Sequence, residues 1–139
     1  SCINASLGNA KEFDEKLPLA DKILCDVPCA GLGVISKKPE IKYKDPKELG
    51  DLPSIQYNIL ENASKYLKVG GELVYSTCSL SRQENDYVVE KFLRLHSDEF
   101  EGKSFLTDMG EPFGSYKATI LPRHFNSDGF FIAKLVRVK

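Results

Sequence analysis

Apolar and polar positions along the chain follow first a strand-like and then a helix-like pattern. A continuous apolar run at residues 22–27 is typical of a strand buried on both faces of a parallel sheet. A Pro- and Gly-rich loop follows, and we then expect a helix that starts near Asp51, ends at Gly70-Gly71 and precedes a strand at 72–77. The apolar stripe of this helix consists of Ile55, Ile59, Leu60, Ala63, Tyr66 and Leu67.

The next stretch of the chain predicts a second helix. Ser81-Arg82-Gln83-Glu84 is a capping-box pattern, in which the last residue of the four closes the first turn of a helix. Weakly patterned sequence follows the helix and predicts one short strand around 104–107. The inner face of the helix is expected to consist of Val88, Val89, Phe92 and Leu93.

Together these elements predict an α/β fold built from βαβ units with right-handed crossovers. Two further strands, Ala118–Leu121 and Phe130–Val138, are joined by a turn and predict an antiparallel hairpin on the edge of a mainly parallel sheet. Residues 1–7 look like a strand entered midway, and the chain does not begin with Met. We therefore expect a single domain over 1–139 that is part of a larger protein.

Composition and charge narrow the class of protein. The 139 residues are 42% hydrophobic and 28% charged, as in a globular domain with a real core. The net charge of −1 gives no overall electrostatic signature of nucleic-acid binding, and the local basic patch around Lys37-Lys38 is typical of a solvated loop. No apolar run reaches the ~18 residues that cross a bilayer. Four cysteines in such a sequence indicate reduced thiols in a cytoplasmic protein.

Two cysteines follow the two predicted strands of the first βαβ unit. Cys29 ends the run Asp26-Val27-Pro28-Cys29, and Cys78 lies in Ser76-Thr77-Cys78-Ser79. Neighbouring strands lie roughly 4.8 Å apart, and ligands of open α/β sheets bind beyond the carboxyl ends of the strands. We therefore expect the two thiols to converge beside Asp26, an acid that is costly after an apolar run unless it is paired or used. This arrangement predicts a site of covalent catalysis.

Each of these residues also has a purely structural interpretation. Asp26 could cap a turn, and Cys29 and Cys78 could fill space as small buried side chains, although a thiol near a helix N-terminus has a lowered pKa. Cys25 lies inside the apolar strand and is expected in the core. Asn9, in Gly8-Asn9-Ala10, could stabilise a turn or contact the adenine of a nucleoside cofactor.

A metal site is not predicted. Cys25 and Cys29 have no second pair of ligands at a suitable spacing, and the two histidines, His96 and His124, are isolated in the sequence.

These motifs in this order resemble the RNA cytosine-5 methyltransferases of the Sun (Fmu) type, which modify ribosomal RNA. The resemblance covers nearly the whole chain and implies a Rossmann-like methyltransferase fold, of which this chain is the carboxyl-terminal part. The segments that carry it include Gly8-Asn9-Ala10, Asp26 to Val34, Lys38 to Tyr43, Gln56, Gly70 to Ser79, Glu84-Asn85 and Asp128 to Ala133.

The resemblance also implies a role for each candidate residue. Cys78 would attack carbon 6 of cytosine, carbon 5 would take the methyl group of S-adenosylmethionine, and Cys29 would assist the elimination that releases Cys78. Asp26 would hydrogen-bond the base and lie beside the cofactor, and Asn9 would contact its adenine. The target base must leave its stack, which suits a loop of folded ribosomal RNA.

Two departures from the family pattern keep other hypotheses open. Ala30 stands where the family commonly has Ser, and the Gly-rich cofactor loop and the amino-terminal RNA-binding region are expected before Ser1. A non-catalytic RNA-binding or interaction module that retains the motifs is therefore an alternative. A redox-active protein that uses Cys29 and Cys78 as a dithiol is a third hypothesis.

Overall fold

A computed structural model describes residues 2–43, 50–105 and 115–139. A short 3₁₀ turn at Pro39–Tyr43 lies in the loop between the first strand and the first helix. The other elements, in chain order, are β1 (Ala20–Asp26), α1 (Leu52–Ser64), β2 (Leu67–Thr77), α2 (Asp86–Leu95), β3 (Phe100–Gly102), β4 (Lys117–Ile120), α3 (Pro122–Phe125) and β5 (Phe130–Arg137).

One five-stranded sheet connects the strands. β1 and β2 pair in parallel and are connected by α1. β5 pairs antiparallel with β2 on one side and with β3 and β4 on the other. The predicted α/β, Rossmann-like class is confirmed, as is the terminal hairpin. The parallel share of the described sheet is smaller than predicted. The hairpin forms an edge of the described sheet, as predicted, because β4 pairs only with β5 among the described strands.

Both long helices pack on one face of this sheet. Leu60 of α1 and Phe92 of α2 are fully buried against Leu73 of β2 and Leu135 of β5. The predicted inner face of α2 is confirmed, since Val88, Val89 and Phe92 are buried and Leu93 packs against them.

The opposite face of β1 corrects one prediction. Residues 22–27 are not buried on both faces, because Leu24 is 70% exposed while Cys25 is 6% exposed. The helices cover only one side of this strand, and no described element covers the other. The apolar run thus reflects burial on one face and an uncovered apolar position on the other.

Three element boundaries also differ from the sequence prediction. No strand occurs within residues 2–19. α1 ends at Ser64, and Gly70-Gly71 lies within β2. Leu67 has the spacing of the helical stripe, but it is the first residue of β2, and its side chain is buried there. The short strand after α2 is Phe100–Gly102, whereas 104–105 are not a strand and 106–107 lie outside the described residues.

The capping-box prediction is wrong in a way that matters for the site. α2 begins only at Asp86, after a turn in which the Glu84 N–H donates to the Ser81 carbonyl at 3.2 Å. The Glu84 side chain turns inward instead of closing a first helical turn. Asp51, by contrast, caps α1 as predicted and accepts a hydrogen bond from the Ser54 N–H.

Candidate active site

The ends of β1 and β2 bring two thiols together. The parallel pairing runs as far as Asp26 opposite Ser76, so the loops that follow leave the sheet side by side. The Sγ atoms of Cys29 and Cys78 lie 3.1 Å apart, within sulfur hydrogen-bond distance, and both cysteines are free thiols. The convergence that the strand pattern predicts is therefore present in the structure.

The two thiols have different surroundings. Burial raises the pKa of Cys29 to about 12, and the hydrogen bond with Cys78 adds to this, while backbone N–H groups of Gly31 and Cys78 act in the opposite direction. A thiol with such a pKa keeps its proton at neutral pH. The geometry allows either sulfur to donate in the hydrogen bond between the two thiols.

Asp26 lies at the same edge of the sheet and faces solvent. The hydroxyl of Ser76, its partner in the β1–β2 pairing, donates to Asp26 Oδ1 at 3.0 Å. Asp26 is exposed while the next residue, Val27, is buried, as alternation along a strand requires. The carboxyl group is thus accessible to a ligand beyond the strand ends.

Asn9 lies in an exposed turn. Its side-chain oxygen accepts from the Lys11 N–H at 3.1 Å, and its Nδ2 donates to Glu12 Oε1 at 2.7 Å. The turn is attached to α1 by Asn62, whose Nδ2 donates to the Ala10 and Glu12 carbonyls at 2.9 Å each. The turn-forming interpretation of Asn9 accounts for these contacts, and its contact with a cofactor stays a prediction.

A buried carboxyl group joins the two cysteine loops. Glu84 is 4% exposed, and its Oε1 accepts from the Ala30 N–H at 2.8 Å, while its Oε2 accepts from the Ser79 hydroxyl at 2.5 Å. Ala30 and Ser79 directly follow Cys29 and Cys78 in the chain. Sequence reasoning missed this role because the local capping pattern offered a sufficient account of Glu84.

Gln56 of α1 completes this hydrogen-bond network from the third side. Its Nε2 donates to the Pro28 carbonyl at 2.8 Å and to Glu84 Oε1 at 3.0 Å. Asn85 strengthens the second loop, since it accepts from the Thr77 hydroxyl at 2.6 Å and donates to the Ser79 carbonyl at 2.8 Å. Each cysteine is thus flanked by backbone groups that buried polar side chains hold.

Gly33 fastens the first loop to the second and to the turn before β5. Its N–H donates to the Cys78 carbonyl at 2.8 Å, and its own carbonyl accepts from the Gly129 N–H at 2.8 Å. A Cβ atom here would collide with the carbonyl oxygens of Gly129 and Cys78. Nearby, Lys37 of the basic patch pairs with Asp128 at 2.5 Å.

Cys25 and His96 take no part in the hydrogen bonds described above. Cys25 is in the core as predicted, and burial raises its pKa to about 12. His96 ends α2, with its ring centroid 4.6 Å from that of Phe92. Within the described ranges, no group of three His, Cys, Asp or Glu residues could hold a metal ion, and no helix is long and apolar enough to cross a membrane.

Comparison with known sequences points to one family. The family model described as 16S rRNA methyltransferase RsmB/F matches residues 2–136. The chain is 42% identical over 120 residues to the probable ribosomal RNA small subunit methyltransferase B of Bacillus subtilis, covering 83% of this chain and 27% of that protein. It is 38% identical over 123 residues to ribosomal RNA small subunit methyltransferase F of Shewanella loihica, covering 85% and 25%.

Comparison with solved structures finds a similar fold. The crystal structure of NSun6 from Pyrococcus horikoshii with SFG superposes with a TM-score of 0.79 at 33% identity, covering 96% of this chain and 34% of that one. The chain spans about a quarter of the length of these curated relatives. The match of the family model over residues 2–136 shows that the chain belongs to the 16S rRNA methyltransferase RsmB/F family.

Proposed function

We propose that this chain carries the two-cysteine catalytic edge of an S-adenosylmethionine-dependent methyltransferase that modifies carbon 5 of a cytosine in ribosomal RNA. The observation that carries the proposal is the 3.1 Å separation of the Cys29 and Cys78 sulfurs at the ends of paired parallel strands. The ribosomal RNA substrate is supported by the names of the relatives, which are small-subunit ribosomal RNA methyltransferases.

The described residues fit a methyl donor in part. Asp26 presents an exposed carboxyl group beyond the end of β1, where ligands of such sheets bind. Asn9 would have to exchange its present contacts with Lys11 and Glu12 to reach an adenine. The similarity to NSun6, solved with SFG, supports a cofactor of this class. When bound, S-adenosylmethionine supplies an electrophilic methyl group.

Cys78 is the proposed nucleophile. Carbon 5 of cytosine is a weak nucleophile, and addition of the Cys78 thiolate to carbon 6 forms an S–C6 bond and moves an electron pair to carbon 5. With S-adenosylmethionine bound, carbon 5 would take its methyl group, and S-adenosylhomocysteine would be left. Loss of the carbon 5 proton and cleavage of the S–C6 bond release 5-methylcytosine and return the thiolate.

Cys29 is the proposed partner in elimination. Before addition, its S–H donates to the Cys78 sulfur and stabilises negative charge there. Once Cys78 is bonded to carbon, that sulfur carries no negative charge, and its contribution to the raised pKa of Cys29 disappears. Burial, the largest cause of that raised pKa, remains. In the proposed step Cys29 first loses its own proton to solvent, and its thiolate then accepts the carbon 5 proton as the S–C6 bond breaks.

Substitution of the two cysteines tests this assignment in the full gene product. Cys78→Ala should abolish formation of 5-methylcytosine in ribosomal RNA, measured by mass spectrometry of the digested nucleosides. Cys29→Ala should instead accumulate a covalent protein–RNA adduct, visible as a shifted band on a denaturing gel.

The exposed Cys2 provides the matched control, and Cys2→Ala should leave both measurements unchanged. A fully active Cys78→Ala protein would exclude the proposed mechanism.

A further inference from the structure

We infer that Glu84 is the positioning residue that sets the separation of the Cys29 and Cys78 thiols. Its effect on catalysis rests on the proposed function, whereas its effect on the geometry of the thiols does not. Glu84 acts through the backbone N–H of Ala30 and the side-chain hydroxyl of Ser79, the residues that follow the two cysteines.

The contacts of Glu84 span the gap between the loops. One carboxyl oxygen accepts from the backbone N–H after Cys29, and the other accepts from the side chain of Ser79, which follows Cys78. The same Ser79 hydroxyl oxygen accepts from the Ser81 N–H at 3.2 Å, which closes the second loop. A single buried side chain therefore bridges two loops that are far apart in sequence.

The hydrogen-bond donors around position 84 require a carboxyl group. Three donors converge on Glu84, from Ala30, Gln56 and Ser79, and two acceptor oxygens with several lone pairs can satisfy all of them. Gln56 directs its amide nitrogen at this carboxyl while its own Oε1 is buried without a hydrogen-bond partner among the described residues. The orientation of Gln56 thus serves the bridge and the Pro28 carbonyl.

The position of Glu84 in the chain strengthens the bridge. Its carbonyl accepts from the buried hydroxyl of Tyr75 at 2.6 Å, and Asn85 beside it is bonded to Thr77 and to the Ser79 carbonyl. The backbone of Glu84 is therefore held to β2 itself. Misplacement of a reacting group by 1 Å can lower a rate by about 100-fold, so a bridge of this kind has a direct catalytic consequence.

Dithiol capture measures the geometry without any methylation. Phenylarsine oxide exchanges its oxygen for two thiol sulfurs, so that two S–H bonds and the arsenic–oxygen bonds break, two S–As bonds form and one water leaves. Peptide mapping of the full gene product identifies the bridged pair. Wild type and Glu101→Gln, which alters an exposed carboxyl on β3, should bridge Cys29 to Cys78 at the same rate.

The variants of the bridge should form a graded series. Glu84→Ala should slow bridging at least about 10-fold, within the range expected for a misplaced group. Glu84→Gln should bridge at a rate between those of wild type and Glu84→Ala, because its amide oxygen still accepts from the Ala30 N–H and its amide nitrogen can donate to the Ser79 hydroxyl. If Glu84→Ala does not fold, Glu84→Gln and Gln56→Leu, which removes the donor to both Pro28 and Glu84, provide the same comparison.

Catalysis gives the second measurement. With ribosomal RNA as substrate, the Glu84 variants should have a lower kcat and a nearly unchanged KM. They should also accumulate a larger fraction of covalent adduct, because the displaced Cys29 no longer assists cleavage of the bond between Cys78 and the base. A residue needed only for stability would lower the melting temperature and the active fraction without increasing the adduct.

The outcomes separate the two proposals. Wild-type protein that forms no 5-methylcytosine, together with variants that lose bridging, would overturn the proposed function and support the positioning role of Glu84. Glu84→Ala protein that bridges as fast as wild type would overturn the positioning role, whatever the methylation result.

Discussion

The candidate site of this protein depends on close backbone contacts at single residues. Gly33 is the clearest case, because its backbone contacts the Cys78 carbonyl and the Gly129 N–H at once. Absence of a side chain is what allows three separate segments to meet there. This close approach of three backbone segments requires a glycine, and Gly33 lies between the two cysteine motifs in the sequence.

Substitution of Gly33 should therefore be costly. In Gly33→Ala the new Cβ meets carbonyl oxygens of Gly129 and Cys78, so the loops must separate, and we expect a loss of about 1–3 kcal/mol in the free energy of unfolding. Urea denaturation measures this loss. Gly8→Ala is the matched control, since no atom lies within 4 Å of a Cβ at that position. Equal stability of the two variants would contradict the prediction.

At the residue scale, the sequence predicted the convergence of Cys29, Cys78 and Asp26 better than it predicted the side chains that hold their loops. Cys29, Cys78 and Asp26 were predictable because each follows an apolar strand, where an acid or thiol is unusual. Glu84 was not, since its partners are 54 and 28 residues away for Ala30 and Gln56, and a local pattern explained it equally well. Long-range hydrogen bonds leave no periodic signal in one sequence.

At the scale of elements, β2 is tied to its neighbours by charge as well as by backbone pairing. Glu72 Oε1 lies 2.9 Å from Lys103 Nζ, just after β3, and 3.0 Å from Lys134 Nζ on β5. Hydrogen bonds from these two lysines lower the pKa of Glu72 to about 2 from 4.5. The folded state therefore keeps this carboxylate charged in acid that would protonate it in the unfolded chain.

This shift predicts a specific acid sensitivity. A lowered folded-state pKa contributes stability that is present above the unfolded value of 4.5 and is lost as the pH falls to about 2. Glu72→Gln should therefore be less stable than wild type at pH 7, and the difference should disappear towards pH 2. Thermal unfolding followed across this range measures it. Glu15→Gln, at an exposed carboxyl, should show no such convergence.

Element boundaries show where local patterns fail. The start of α1 was predictable because Asp51 and Pro53 are local signals, and Asp51 does cap the helix. The end of α1 was not, because Tyr66 and Leu67 keep the helical spacing while tertiary packing places Leu67 in the sheet. The inner face of α2 was predictable because its spacing and its burial agree.

At the scale of the whole molecule, the two faces of the sheet are unequal. The helices bury one face of the sheet. On the opposite face, Leu24 of β1 is 70% exposed and lies beside Val74, its pairing partner on β2. Exposed apolar surface of this kind binds hydrophobic probes. A continuous apolar run in a sequence does not reveal which of its faces is covered, so this asymmetry could not be predicted.

Removal of the exposed side chain should change surface binding without changing the fold. We expect Leu24→Ser to reduce the fluorescence of a bound apolar dye such as anilinonaphthalene sulfonate, while the free energy of unfolding stays within about 0.5 kcal/mol of wild type. Leu95→Ser is the control, because it replaces another exposed leucine (58% exposed, at the end of α2) by serine and so shows the effect of this replacement away from β1. Undiminished dye binding in Leu24→Ser would show that the probe binds elsewhere.

The place of β5 in the sheet has a consequence for the order of events on the ribosome. β5 lies between β2 and the two short strands, yet it is the last of the described strands to be synthesised. At about 5–20 residues per second, the nascent chain exposes β2 with one edge unpaired until residues 130–137 emerge. The turn at Gly129 arrives at the same moment and meets Gly33. Both cysteine motifs are thus translated before β5 and acquire their final surroundings only after β5 has emerged.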